Sequence, residues 1–450
     1  MGSLPRPVVA PNSPLKHDPV RALIPVLLLS LPIFALLFHC AYHSYEHCHS
    51  VDRLHGLEPA VPFAPVNGLV SDVLLYVASY GGSVTTLKLT RGSNAAATSF
   101  GLEPVASTEG CAGSPSWLTL DKANSILYCT DEGLATGGEG SLSSFSTIED
   151  GSLVRLAKVR TVSGPVSAAV YGKHGSGLAV AHYGGSAFST WDVENPSELT
   201  PVQTRLFKMA QPGPGSSRQE APHPHAAVVD PTGQFILVPD LGTDLIRIYA
   251  VRDGDLRLVE REPLFVASGS GPRHLAFADK GDRTFMYLVT ELGNTVVGYE
   301  VTYDAESIIF EQIWTSGIHG KGKDVPAGSA ASEILISPDS NFLILSSRNE
   351  STLELPNFDP RNTTDISSDP LINFAIDPKT GHLDLLQEVP CGGRGPRQFS
   401  MNKDGTLVAV GLQDDGRVVV MERNVETGKI GGLVAHADVE GEVTAVIFNE

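Results

Sequence analysis

The chain is poor in the features that mark several common function classes. Only 18% of its 450 residues are charged, and 32 basic residues face 51 acidic ones, for a formal charge of −19. With no basic stripe, a phosphate backbone would be repelled, which excludes nucleic acid as an expected partner. There is no glycine-rich phosphate loop, no G-x-S-x-G nucleophile elbow and no metal triad at ligand spacing. That pattern argues against nucleotide, serine-hydrolase and zinc chemistry and predicts a site free of metal and cofactor. Five cysteines are too few for a disulfide scaffold, and their odd number forbids complete internal pairing. Their pairing stays open: Cys40 and Cys48 lie near the N-terminus, and Cys111, Cys129 and Cys391 in the main body.

One long apolar run is present. Residues 22–38, "ALIPVLLLSLPIFALLF", carry no charge, and the apolar character continues to Tyr42. Arg6, Lys16 and Arg21 precede it, so the positive-inside rule predicts a cytosolic tail (1–21), a transmembrane signal anchor (22–42) and a juxtamembrane linker (43–66). The remainder, 67–450, would then be lumenal or extracellular, or secreted if the segment is cleaved as a signal peptide. The sequons at Asn349 and Asn362 fit that route as glycosylation sites. The His- and Cys-rich stretch 39–50 reads as a polar collar rather than a metal tract.

Glycine (45) and proline (31) are spread along the whole chain, which points to many turns. They punctuate an internal repeat. "PHAAVVDPTG" (224–233), "PRHLAFADKG" (272–281) and "PRQFSMNKDG" (396–405) share one spacing without a gap. "PSWLTLDKAN" (115–124), "PVSAAVYGKHG" (165–175) and "SEILISPDS" (332–340) follow it loosely. Each is a short alternating strand and a turn, followed by a continuously apolar strand such as "FILVPDLG" or "MYLVTELG", then by a third strand. "LLYVASYGGSVTTLKL" near the start has the second and third strands without a first, giving seven units. Seven such units predict an all-β, seven-bladed β-propeller, its ring closed by pairing N-terminal strands with "EVTAVIF" at the other end. Residues just after each Gly-Pro turn would point at the axis.

"RQEAPHPH" (218–225), "VPDLGTDLIRIY" (238–249), "GSGPRHLAF" (269–277), "VTELGNTVVGYE" (289–300), "SEILISPDSNFLILSSRNES" (332–351) and "GRGPRQFSMNKDG" carry a resemblance. In this order they resemble the lactonase family of seven-bladed propellers, which groups bacterial 6-phosphogluconolactonase with fungal carboxy-cis,cis-muconate cyclase. The third unit and a lengthened loop after Arg348 depart from the family pattern. The resemblance implies a cofactor-independent enzyme, expected as a monomer, that acts on a small anionic lactone or its open-chain acid in the central channel, with lactone hydrolysis as the first reaction expected. A lactonising cycloisomerase and a non-catalytic ligand-binding platform are the alternatives.

Such chemistry needs a proton acceptor or donor and a cationic place for developing oxyanion charge. His225 is the candidate base or acid, with His223 two residues earlier as its understudy. Glu291 is expected to donate a proton if burial raises its pKa. Arg273 and Arg348 form the expected anion clamp, with Arg397 and Arg218 behind them. Glu333 is expected to fix one of these arginines, and Gln413 is a weaker binding candidate. Strict alternation would turn His274 to the face opposite Arg273. Asp240 is read as occupying the place of Glu291 in unit four with a structural role.

Overall fold

The computed structural model describes residues 72–91, 100–215, 218–252, 254–304 and 306–450. The expected tail, anchor and linker lie outside the described residues. The rest is all-β. Seven four-stranded antiparallel sheets follow one another in chain order, with no α-helix among the described residues.

Blade one holds Val73–Ser79, Ser83–Arg91 and Phe100–Thr108, and its innermost strand is Val443–Phe448 from the far end of the chain. Leu75 stands opposite Phe448 and Tyr76 opposite Ile447, so the ring closes as expected. Each later blade supplies its own four strands: blade four runs from Val228 to Phe265, blade five from Pro272 to Gly317, blade six from Ala330 to Pro390 and blade seven from Pro396 to Asp438.

The burial pattern explains the two sequence textures. Second strands such as Phe235–Asp240 and Leu407–Leu412 are buried along their full length, because a neighbouring blade covers each face. Outermost strands such as Leu153–Thr161 alternate toward solvent. Seven apolar clusters result, each shared by two adjacent blades. Phe285, Tyr287, Leu343 and Phe374 join blades five and six, for example, while Leu75, Val77, Ala409 and Val420 join one and seven. Such aromatic and aliphatic burial, at about 25 cal/mol per Å² of apolar area, holds the ring together.

Two features escaped the sequence reading. Cys111 and Cys129 form a buried disulfide that ties the approach to blade two to its second strand, and Cys391 is a buried thiol pushed up to about 12 by desolvation. The lengthened loop after Arg348 folds as a two-stranded hairpin, Leu353–Leu355 with Ile366–Ser368. Phe358 within it stacks on His436 of blade seven at 4.3 Å between ring centroids.

Candidate active site

Two sequence positions in each blade build the axial chamber. The first is the start of the innermost strand, where the register slips right after the proline: between Pro115 and Trp117, Pro165 and Ser167, Pro272 and His274, and Pro396 and Gln398. A bulge at this place adds a residue and re-aims its side chain. For that reason both Arg273 and His274 enter the buried site, against the alternation expected for His274. Gly271, at φ +63°, makes the preceding turn possible, and the Asp244 carboxylate accepts its amide at 2.9 Å.

The second position is the end of the next strand. There stand Tyr80 of blade one, Glu132 of two, Tyr183 of three, Glu291 of five and Arg348 of six. Asp240 is not the counterpart of Glu291. It bridges to Pro224 as Thr290 pairs with Pro272, one residue earlier in the register. Its carboxylate accepts the His223 amide at 2.7 Å and the Arg247 guanidinium at 2.7 and 3.0 Å, a structural role.

Three arginines surround the carboxylate of Glu291. Arg218 Nη2 lies 2.9 Å from Oε1, and Arg273 Nε and Arg348 Nη2 lie 2.9 and 3.3 Å from Oε2. Arg273 also donates to the Ser332 carbonyl at 2.7 Å, and Arg218 to the Tyr183 hydroxyl at 2.9 Å. This overturns the expected proton-donor role of Glu291. Burial alone would raise its carboxyl, but Arg348, Arg273 and Arg218 hold it at about 2, so it is an anion at working pH. Arg273, crowded by burial and by Arg348, is lowered to about 9.

His225 is placed by backbone pairing: its amide donates to the Pro239 carbonyl at 2.8 Å. The ring stands edge-on to Tyr183, and its Nδ1 is 3.2 Å from His274 Nε2. His274 Nδ1 is in turn 2.8 Å from Glu333 Oε1. Glu333 therefore pairs with a histidine, not with an arginine as expected, because the bulge turns His274 toward it. Burial first, then Arg273, His274, Arg397 and Arg348, drive His225 well below the ordinary imidazole range. It is a neutral ring.

The remaining candidates are spread around this core. Arg397 donates to the Tyr80 hydroxyl at 2.9 Å and contacts Glu132 at 3.3 Å, while Tyr80 itself donates to Glu132. It thus faces the site already engaged by blades one and two. His223 stacks on Tyr183 at 4.2 Å, with Nδ1 at 2.9 Å from the Tyr183 carbonyl and Nε2 at 3.1 Å from Glu220. Gln413 holds the same strand-end place in blade seven and donates to Glu442 at 2.8 Å. Asn349 and Asn362 are exposed. Trp117, edge-on to His274 at 5.5 Å, completes a site to which all seven blades contribute.

The fold is matched by relatives. The model of the family "Lactonase, 7-bladed beta-propeller" matches residues 74–448. An Arthroderma benhamiae protein named "Probable 6-phosphogluconolactonase" is 31% identical over 365 residues, covering 81% of this chain and 86% of that protein. Among solved structures, a Bacteroides fragilis propeller superposes with a TM-score of 0.69 at 24% identity, covering 84% of this chain and 98% of that one. The periplasmic gluconolactonase of Pseudomonas aeruginosa superposes with a TM-score of 0.66, also at 24% identity, over 84% and 99%. A match along nearly the whole ring, together with a relative 31% identical over 81% of the chain, makes this chain a member of the lactonase family of seven-bladed β-propellers.

Proposed function

We propose that the protein hydrolyses a small lactone bearing an anionic group, using His225 as general base. The observation that carries this reading is the neutral imidazole of His225 beside an arginine cluster whose charge exceeds that of its one carboxylate: Arg218, Arg273 and Arg348 around Glu291. A neutral ring can take a proton from water as the water oxygen attacks the lactone carbonyl. Arg273 and Arg348 would stabilise the oxyanion that forms, with Glu291 holding both guanidinium planes in place. The ring C–O bond then breaks and its oxygen recovers the proton, giving the hydroxy acid. Excess positive charge favours an anionic substituent on the substrate. That substituent would offset the arginines that depress His225 and so strengthen the base where it is needed. The names carried by the relatives agree in kind, a 6-phosphogluconolactonase and a gluconolactonase.

The propeller is further proposed to lie in a lumenal or extracellular space. A buried disulfide, two exposed sequons and the apolar run at 22–42 are jointly at home there. The hydrolytic reading is tested by incubating the full-length protein with aldonolactones, with and without a 6-phosphate, and following acid release. No release above the spontaneous rate would leave a binding platform instead.

A further inference from the structure

His225, His274 and Glu333 form one hydrogen-bonded row across blades four, five and six, and its last member settles the tautomer of the first. A carboxylate only accepts, so Glu333 Oε1, which also takes the Ile334 amide at 3.0 Å, requires the proton of His274 on Nδ1. In a neutral ring the lone pair then sits on Nε2. That atom is 3.2 Å from His225 Nδ1, which must carry the proton of its own ring. His225 Nε2 is left bare, and among the described residues no hydrogen bond engages it.

The same row meets an electrostatic need. A proton gained by His225 places a cation against Arg273, Arg348 and Arg397, all of which already disfavour it. Glu291 is committed to three arginines, whereas Glu333 Oε2 is buried without a partner. Trp117 and Tyr183, which also border the two rings, carry no negative charge.

We propose that His274 and Glu333 are positioning residues of the hydrolytic step, holding His225 as its Nδ1–H tautomer and neutralising the imidazolium that forms. The proposal rests on His225 being the base. As the attacking water gives its proton to Nε2, the Nδ1 proton shifts toward His274 Nε2 and the His274 Nδ1 proton toward Glu333. All three return when Nε2 reprotonates the leaving ring oxygen, so the row ends unchanged. The oxidation state of every atom is constant.

The test combines kinetics with imidazole ¹⁵N–¹H spectra of the full-length protein, using Glu333→Gln, Glu333→Asp and His274→Ala. Glu333→Gln and His274→Ala are expected to lower kcat on the order of 10²-fold or more with KM within about threefold. Glu333→Asp should recover part of the loss. Wild-type His225 should carry its proton on Nδ1, and His274→Ala should release that preference. Wild-type kcat in both variants, or a proton on His225 Nε2 in the unmodified protein, would overturn the proposal. If no lactone is turned over, hydrolysis falls and the spectra alone decide: Nδ1–H supports the row, Nε2–H overturns it.

Discussion

Replacing Glu291 by Gln keeps the shape of the side chain but removes the one negative charge that Arg218, Arg273 and Arg348 share. A carboxyl that titrates at about 2 in the fold, against 4.5 when free, contributes about 3 kcal/mol at neutral pH. Stripping one partner from a buried ion network costs about 3–5 kcal/mol, so the two routes agree. With an unfolding entropy of ~0.8 kcal/mol/K for a domain of this size, the melting temperature should fall by about 4–6 °C. Because the folded pKa is depressed, the contribution is complete above pH 4.5 and is lost as pH falls toward 2. The wild type should therefore lose more stability than the variant across that window. Sulfate, added at constant ionic strength, should restore the variant by occupying the vacated place among the guanidinium groups, by about 2.7 kcal/mol at a hundredfold excess over its Kd. Scanning calorimetry of both proteins, with and without sulfate, reads all of this. Equal melting temperatures, or equal stabilisation of both proteins by sulfate, would refute the shared-charge reasoning.

Three further outcomes are expected. His319, raised to about 9 by its hydrogen bonds and charge contacts to Glu350 and Glu388 against the opposing effect of burial, stabilises the fold fully below pH 6.5. Urea titrations should show that stability declining between pH 6.5 and 9, by about 3 kcal/mol at most, and His319→Gln should flatten the decline. Cys111→Ser opens a disulfide with a sequence separation of 18 and should cost about 3 kcal/mol of unfolding free energy in urea titrations, while Cys391→Ser should cost less than half of that. Treating protein from its native source with an N-glycosidase should increase gel mobility, and Asn362→Gln should abolish part of the shift; unchanged mobility would count against the lumenal placement.

The architecture was readable because it is repeated. Six copies of a strand and turn register, five of them opened by a proline, identify blades even where single strands are weak, and the missing first strand of blade one foretold the closure. Arg273, His225 and Arg397 were singled out from the same register, whereas Arg218 and Arg348 lie outside it and were not. What could not be read was the local slip after each proline. A bulge leaves no trace in composition, and it alone brings His274 beside Arg273 and directs it to Glu333. The partners of Glu291 were equally hidden, since its ionisation depends on three guanidinium groups from positions 218, 273 and 348. One signal was present but unused. Tyr80, Glu132 and Tyr183 occupy in blades one to three the strand-end place that Glu291 holds in blade five, so the rule that selected Glu291 would also have selected them.

The proposed hydrolysis turns on His225. Initial rates of lactone hydrolysis by the full-length protein and by His225→Ala should be measured on one substrate panel, with thermal unfolding run in parallel. The expected result is ring opening that falls on the order of 10²–10⁴-fold in the variant at an unchanged melting temperature. Hydrolysis that survives loss of the imidazole in a folded protein would contradict the account.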